Sequence, residues 1–164
     1  TVEEQAFVDA ARAWGASDGG YAHMHTTRPQ TLAHALTDSP VGLAAWILEK
    51  FRDWGDTGGD LLGRFDRDAL LTNLTIYWAT GTINSSMRLY LENVRDPGTF
   101  GRVEVPTGVL MGPNDMIPTP RSWVNRAYNV VSWKDAEAGG HFMEWEEPAS
   151  VADDLCRFCA TLIV

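Results

Sequence analysis

The sequence is poor in cysteine, in positive charge and in long apolar runs, and each shortage removes a class of protein. Its two cysteines, Cys156 and Cys159, stand at C-x-x-C spacing inside the last apolar stretch. Two thiols are too few for a structural zinc site, and a thioredoxin-like motif would open a helix after a strand instead of lying within a terminal helix. They are expected to be free thiols of a reducing cytosol. Thirteen Lys and Arg against 22 Asp and Glu give a formal charge of −9. With no basic stripe interleaved with aromatics, that balance repels phosphate backbones and excludes nucleic acid as a partner. No apolar run approaches the roughly 20 residues that cross a bilayer, and no secretory leader opens the chain, so a soluble, cytoplasmic chain is expected. His23, His25 and His34 cluster without a carboxylate or thiol at ligand spacing, so neither a metal nor a cofactor is expected.

What is present is enough for one core: 164 residues, 45% of them hydrophobic. Thr1 with Glu4 forms a capping-box pattern ahead of Phe7, Val8, Ala11 and Trp14 at helical spacing, ended by Gly15 to Gly20. Tyr21 to Pro29 has no helical period and reads as a loop or extended segment. Asp38 or Ser39 before Pro40 marks a helix start, and Val41 to Trp54 is apolar nearly all round, which predicts burial on most sides. Gly55 to Gly63 reads as a Gly-rich turn. Asp66 or Asp68 caps a helix through Leu70, Leu71, Leu74 and Trp78. Gly81 separates it from another carrying Met87, Tyr90 and Leu91.

At Asp96-Pro97-Gly98 the pattern changes. Val103 to Met111 is short, apolar and β-branched, as a buried strand should be. Pro120 opens a helix through Val124 and Tyr128, Asn129 to Trp133 reads as a second strand, and Ala149 to Val164 as a closing helix. Strand, helix, strand, helix implies parallel strands with crossovers. Two such strands do not make an independent parallel sheet, so the chain is expected to be the tail of a larger α/β protein, with residues missing upstream. Residues 1–95 would form a helical unit and 96–164 the end of a sheet-bearing core.

In open α/β sheets, functional residues lie in loops beyond the carboxyl ends of strands. The first strand runs out at Gly112-Pro113-Asn114-Asp115 and the second at Ala138-Gly139-Gly140-His141. An acid after one strand and a His after the next follow the chain order of α/β-hydrolases, nucleophile, acid, His. A carboxylate at that place fixes the imidazole tautomer and leaves the other ring nitrogen free as a base. Gly139 and Gly140 permit the sharp turn that brings His141 over the sheet edge.

Nearly the whole chain resembles the epoxide hydrolases of the microsomal type. The resemblance is carried by Gly20-Tyr21-Ala22-His23, by TRPQTLAHALTDSPVGLAAWILEKF from Thr27 to Phe51, and by LLTNLTIYWATGTINSSMRLYLEN from Leu70 to Asn93. It continues through VPTGVLMGPNDMIPTPRSW from Val105 to Trp123 and GGHFMEWEEP from Gly139 to Pro148. It implies an α/β-hydrolase fold of which this is the carboxyl-terminal portion, a helical lid followed by the last βα units of a mostly parallel sheet. It also implies opening of a hydrophobic epoxide through an Asp ester. Tyr21 and Tyr90 match the lid tyrosines that donate hydrogen bonds to the epoxide oxygen, and His141 matches the general base. Asp115 falls at the place of the charge-relay acid, although Pro113 and Asn114 depart from the Phe-Pro usual beside it.

The family's nucleophile elbow, Gly-Gly-Asp-Trp-Gly, and its His-Gly-Trp-Pro turn both precede the lid and are not in this sequence. Gly58-Gly59-Asp60 imitates the elbow, but it follows Tyr21 and has no strand before it, so it is rejected. An upstream nucleophile-bearing half is therefore expected as a partner, and the chain alone is expected to be inactive. Trp46, Trp54, Tyr77 and Trp78 are expected to wall an apolar pocket. The resemblance also makes a homodimer an expectation. Two other readings stand beside this one. A haloalkane dehalogenase would want Trp or Asn halide donors in place of the tyrosine pair, and a non-catalytic remnant would keep lid and tail without chemistry.

Overall fold

Local signals at helix ends define most of the architecture. In a computed structural model that describes residues 1–98 and 101–162, Thr1 and Glu4 form the reciprocal capping box of α1 (Val2–Ser17). Then follow α2 (Gly20–Thr27), α3 (Pro29–Asp38), α4 (Pro40–Trp54), α5 (Leu61–Arg64), α6 (Arg67–Thr80) and α7 (Ile83–Arg95). Ser39 caps α4, its hydroxyl accepting from the Gly42 N–H at 3.0 Å with Pro40 in the first turn. Asp66 caps α6 through the Ala69 N–H at 2.8 Å. At the other end of α6 Gly81 takes φ +63°, and the Thr82 N–H reaches back to the Tyr77 carbonyl at 3.2 Å.

Two expectations for the helical half need correction. Residues 21–29 are not a loop: α2 covers Gly20–Thr27 and Pro29 begins α3. α2 is short and weakly amphipathic, so packing sustains it and periodicity does not reveal it. Tyr21 and His25, four residues apart, share a helix face and both pack on Tyr90 of α7. Nor is α4 buried on most sides, since only Leu43 and Phe51 are buried and Val41 is exposed. The Gly-rich turn also contains α5, which Asp60 caps by accepting from the Gly63 N–H at 3.1 Å. Asp60 is thus a helix cap with no strand before it, as expected when it was rejected as a nucleophile elbow.

One core joins α3, α4 and α7 through Ala33, Leu36, Leu43, Ile83 and Met87. A second joins α4 and α6 through Phe51, Phe65 and Leu70, with Phe142 packed against it from the far half of the chain. Phe51 and Phe142 stack with ring centroids 4.1 Å apart.

The sheet consists of β1 (Val103–Met111) and β2 (Tyr128–Asp135), paired in parallel with α8 (Arg121–Ala127) as crossover. Tyr128 starts the strand instead of ending the helix. The register is irregular around Pro106, which has no N–H to give the ladder. α9 (Met143–Glu146) and α10 (Pro148–Leu162) follow; α10 packs on β1 at Gly108, where an added Cβ would come within 2.9 Å of the Phe158 ring. The closing helix as read from sequence ended at Val164, and its last two positions lie outside the described residues. The sheet leaves Val105 65% and Val131 52% exposed, an apolar surface that native sheets ordinarily cover.

Met87 has no exposure and belongs to the core shared by α3, α4 and α7, so Met87→Ala should lower stability by about 2–5 kcal/mol, read as a shift in urea midpoint at constant slope.

Candidate active site

Parallel pairing puts the carboxyl ends of β1 and β2 at the same edge, where the two following loops are tied together. Ala136 N–H donates to the Met111 carbonyl at 2.8 Å and Asn114 N–H to the Gly139 carbonyl at 3.1 Å. Across this edge His141 Nδ1 lies 3.0 Å from Asp115 Oδ1, with the two side chains about one-third exposed (38% and 33%). The same Asp115 oxygen accepts from the Met116 N–H at 2.7 Å, which fixes the carboxylate's orientation. Asp115 and His141 are therefore brought together as the spacing suggested.

Tyr21 and Tyr90 also meet, across α2 and α7, with ring centroids 6.1 Å apart and nearly perpendicular planes. Burial raises the Tyr21 phenol above its ordinary value of 10.0, and neighbouring Tyr90 adds to the effect. The phenol therefore keeps its proton and remains a donor at neutral pH. Lys50 stands over the Tyr21 ring, its Nζ 5.1 Å from the centroid.

The link between the two pairs is Trp54, at the end of α4. Its ring lies 5.1 Å from Tyr21 and 5.4 Å from His141, centroid to centroid, and its carbonyl accepts the His141 backbone N–H at 2.9 Å. Asp18, at the end of α1, holds the indole through Nε1 at 2.5 Å and Lys50 Nζ at 2.7 Å. Burial pulls the Lys50 pKa down, but the hydrogen bonds that the ammonium donates to Asp18 and Glu49 outweigh it and leave the pKa raised. Trp54 was expected only as a pocket wall, and Asp18 and Lys50 were missed. Nothing local in Lys or Asp marks such roles; only the tertiary contact does.

The expected four-residue aromatic wall does not form. Trp54 joins the tyrosines, Trp46 packs by His25, Tyr77 packs on the core, and Trp78 is exposed. A cleft of about 490 Å³ lies instead between α4, α6 and α9, lined by Ile47, Phe51, Tyr77, Phe142 and Trp145 among others. Another, of about 660 Å³, is lined by Phe7, Met111, Ile117 and Trp133 among others, and none of Tyr21, Tyr90, Asp115 or His141 borders it. Neither cleft contains the paired groups, so the side-chain geometry identifies the site better than cavity size does. No group of three or more His, Cys, Asp or Glu is placed to hold a metal among the described residues.

His25 lies buried between Trp46, Tyr21 and Tyr90, and neither ring nitrogen has a hydrogen-bond partner. Burial alone lowers its pKa from 6.5, because the charged ring cannot be solvated there. Below that ordinary value the unfolded chain takes up a proton that the folded chain refuses. The resulting stability is complete above pH 6.5 and is lost as pH falls toward the lowered folded value. The urea midpoint should accordingly drop between about pH 7 and about pH 5, and His25→Gln should make that drop smaller. An unchanged drop in the variant would remove His25 as its source.

The chain matches no family model. It is 40% identical over 158 residues to epoxide hydrolase 1 of Sus scrofa, covering 88% of this chain and 35% of that protein. It is 37% identical over 150 residues to the juvenile hormone epoxide hydrolase of Bombyx mori, covering 84% and 32%. The crystal structure of that Bombyx mori enzyme superposes with a TM-score of 0.82 at 38% identity, over 88% of this chain and 40% of its own. The Aspergillus niger epoxide hydrolase superposes with a TM-score of 0.81 at 29% identity, over 98% and 40%. The chain thus spans about a third of the length of the curated relatives it matches. No helix among the described residues is long and apolar enough to cross a membrane. In sequence and in fold, the chain belongs to the epoxide hydrolases of the α/β-hydrolase fold and corresponds to a carboxyl-terminal portion of them.

Proposed function

We propose that this chain supplies the base and the oxirane-activating donors of an epoxide hydrolase whose nucleophilic Asp lies on a segment upstream of it. The observation that carries the reading is the Asp115–His141 pair at 3.0 Å, connected through Trp54 to the Tyr21–Tyr90 pair. Residues 1–95 would then be the lid and 96–164 the end of the hydrolase core. The two exposed, unbridged thiols Cys156 and Cys159 fit a cytosolic setting.

In this mechanism the upstream carboxylate attacks an oxirane carbon as its C–O bond breaks, giving a glycol ester. Tyr21 and Tyr90 donate to the departing oxygen, stabilise the developing alkoxide and supply its proton. His141 Nε2 then takes a proton from water, and the resulting hydroxide attacks the ester carbonyl carbon. The ester cleaves, the carboxylate is restored, the vicinal diol leaves, and the proton held by the imidazolium returns to the tyrosine that gave one up. Asp115 accepts a hydrogen bond from Nδ1–H without taking the proton, holding the productive tautomer and stabilising the imidazolium. The aromatic rings of Trp14 and Trp54 beside Tyr21 favour a hydrophobic epoxide. The tyrosine pair also separates this reading from a haloalkane dehalogenase, whose leaving halide needs no such proton.

The test joins this chain to the nucleophile-bearing segment. Tyr21→Phe or Tyr90→Phe should slow ester formation by about 10²-fold or more, the scale of losing one oxyanion donor. His141→Gln should form ester and stop there, visible as a protein mass increased by that of one epoxide. The 164-residue chain by itself should produce no diol. Diol formation by the isolated chain, or an unimpaired His141→Gln enzyme, would sink the reading.

A further inference from the structure

Glu144, Glu146 and Glu147 follow His141 closely, and the middle one behaves unlike its neighbours. Its side chain has no exposure at all, and every group around its oxygens is a donor. Oε2 accepts from the Asp56 N–H at 2.7 Å, from the Gly140 N–H at 3.1 Å and from Arg64 Nε at 3.5 Å. Oε1 accepts from the Phe142 N–H at 2.9 Å. Two of the three backbone donors, Gly140 and Phe142, flank His141 on either side. The third, Asp56, and Arg64 belong to the turn and short helix that follow α4. Asp56 returns the contact, its Oδ2 accepting from the Gly139 N–H at 3.1 Å.

We infer that Glu146 is a positioning residue for His141: it sets the angle of the base's loop and anchors that loop to the lid. The inference rests on the epoxide hydrolase reading for its kinetic expression. His141 is one-third exposed and makes a single side-chain hydrogen bond, so its ring position follows from its backbone. That backbone is held on both sides by one carboxylate. The same carboxylate holds the Asp56 N–H, two residues past Trp54, whose carbonyl takes the His141 N–H. Gly140 allows the approach: a Cβ there would come within 2.7 Å of the Asp56 nitrogen and the Trp54 oxygen. Only an acceptor with two charged oxygens answers this donor set. An amide offers one acceptor and turns an N–H toward groups that are themselves donors. Glutamine is therefore nearly the same shape and the wrong chemistry.

A displaced base harms the step that uses it and spares the step that does not. In the enzyme complete with its nucleophile, Glu146→Gln should leave ester formation within about twofold of wild type and slow ester hydrolysis by about 10²-fold, the cost of a misplacement near 1 Å. Glu146→Asp, which keeps the charge, should recover part of the hydrolysis rate. Rapid-quench measurement of both steps reads this split, and a parallel fall of the two rates, or no fall in either, overturns the inference. The second readout is independent of turnover. With histidine labelled by ¹⁵N and His141 assigned, wild type should show one tautomer protonated at Nδ1, and Glu146→Gln a mixture of tautomers; unchanged shifts overturn the inference. Wild-type enzyme that forms neither ester nor diol from aryl and alkyl epoxides defeats the functional reading instead. The ring ¹⁵N shifts then still decide the role of Glu146. If Glu146→Gln does not fold, Glu146→Asp carries both readouts with a milder split of the same sign.

Discussion

A carboxylate sealed from water must find donors for all of its lone pairs, and the answer given to that requirement by Glu146 organises the rest of the molecule. Its partners come from two stretches far apart in the sequence, the turn and short helix after α4 and the loop that carries His141. Removing such a group would leave backbone N–H groups and a guanidinium unpartnered in a dry place, far costlier than losing an exposed ion pair. The stacked Phe51–Phe142 rings lie on the same seam. Polar and apolar contacts therefore hold the helical half and the sheet-bearing half in one relative position.

A second chain of contacts leads from that seam into the helical half. Trp54 ends α4, takes the His141 N–H on its carbonyl and presents its indole to Tyr21. Asp18 anchors the indole and Lys50 together, so the charge over the Tyr21 ring is itself paired. The negative charge here does not stand as bare repulsion: the Lys50 ammonium answers two carboxylates, Asp18 and Glu49, and the Trp54 indole N–H gives Asp18 a second donor. The Tyr21 phenol consequently faces apolar rings and a neutralised cation, and its raised pKa follows from that burial.

What the sequence disclosed divides along physical lines. Ser39-Pro40, Asp66 and Gly81 act within one turn of helix, so their caps could be read directly, as could β1, whose bounds came out as Val103–Met111. Asp115 and His141 were legible because strand, crossover and strand fix where two loops must meet. α2 was not, because a short helix held by Tyr21 and His25 against α7 carries no strong periodicity of its own. The burial of Glu146 was equally hidden: three glutamates in four residues look alike, and only the approach of Asp56, ninety residues earlier, singles one out. The expected burial of α4 failed for the opposite reason, since apolar residues announce a need for cover without saying whether the chain at hand provides it.

Two pairs to which the proposed mechanism gives different chemical steps thus stand on one frame. In a covalent mechanism the tyrosines matter while the ester forms and the histidine matters while it breaks, so each could in principle be placed separately. Here Trp54 touches both, through its ring to Tyr21 and through its ring and carbonyl to His141. A shift of the helical half large enough to move Tyr21 past Trp54 must also strain the loop that carries His141.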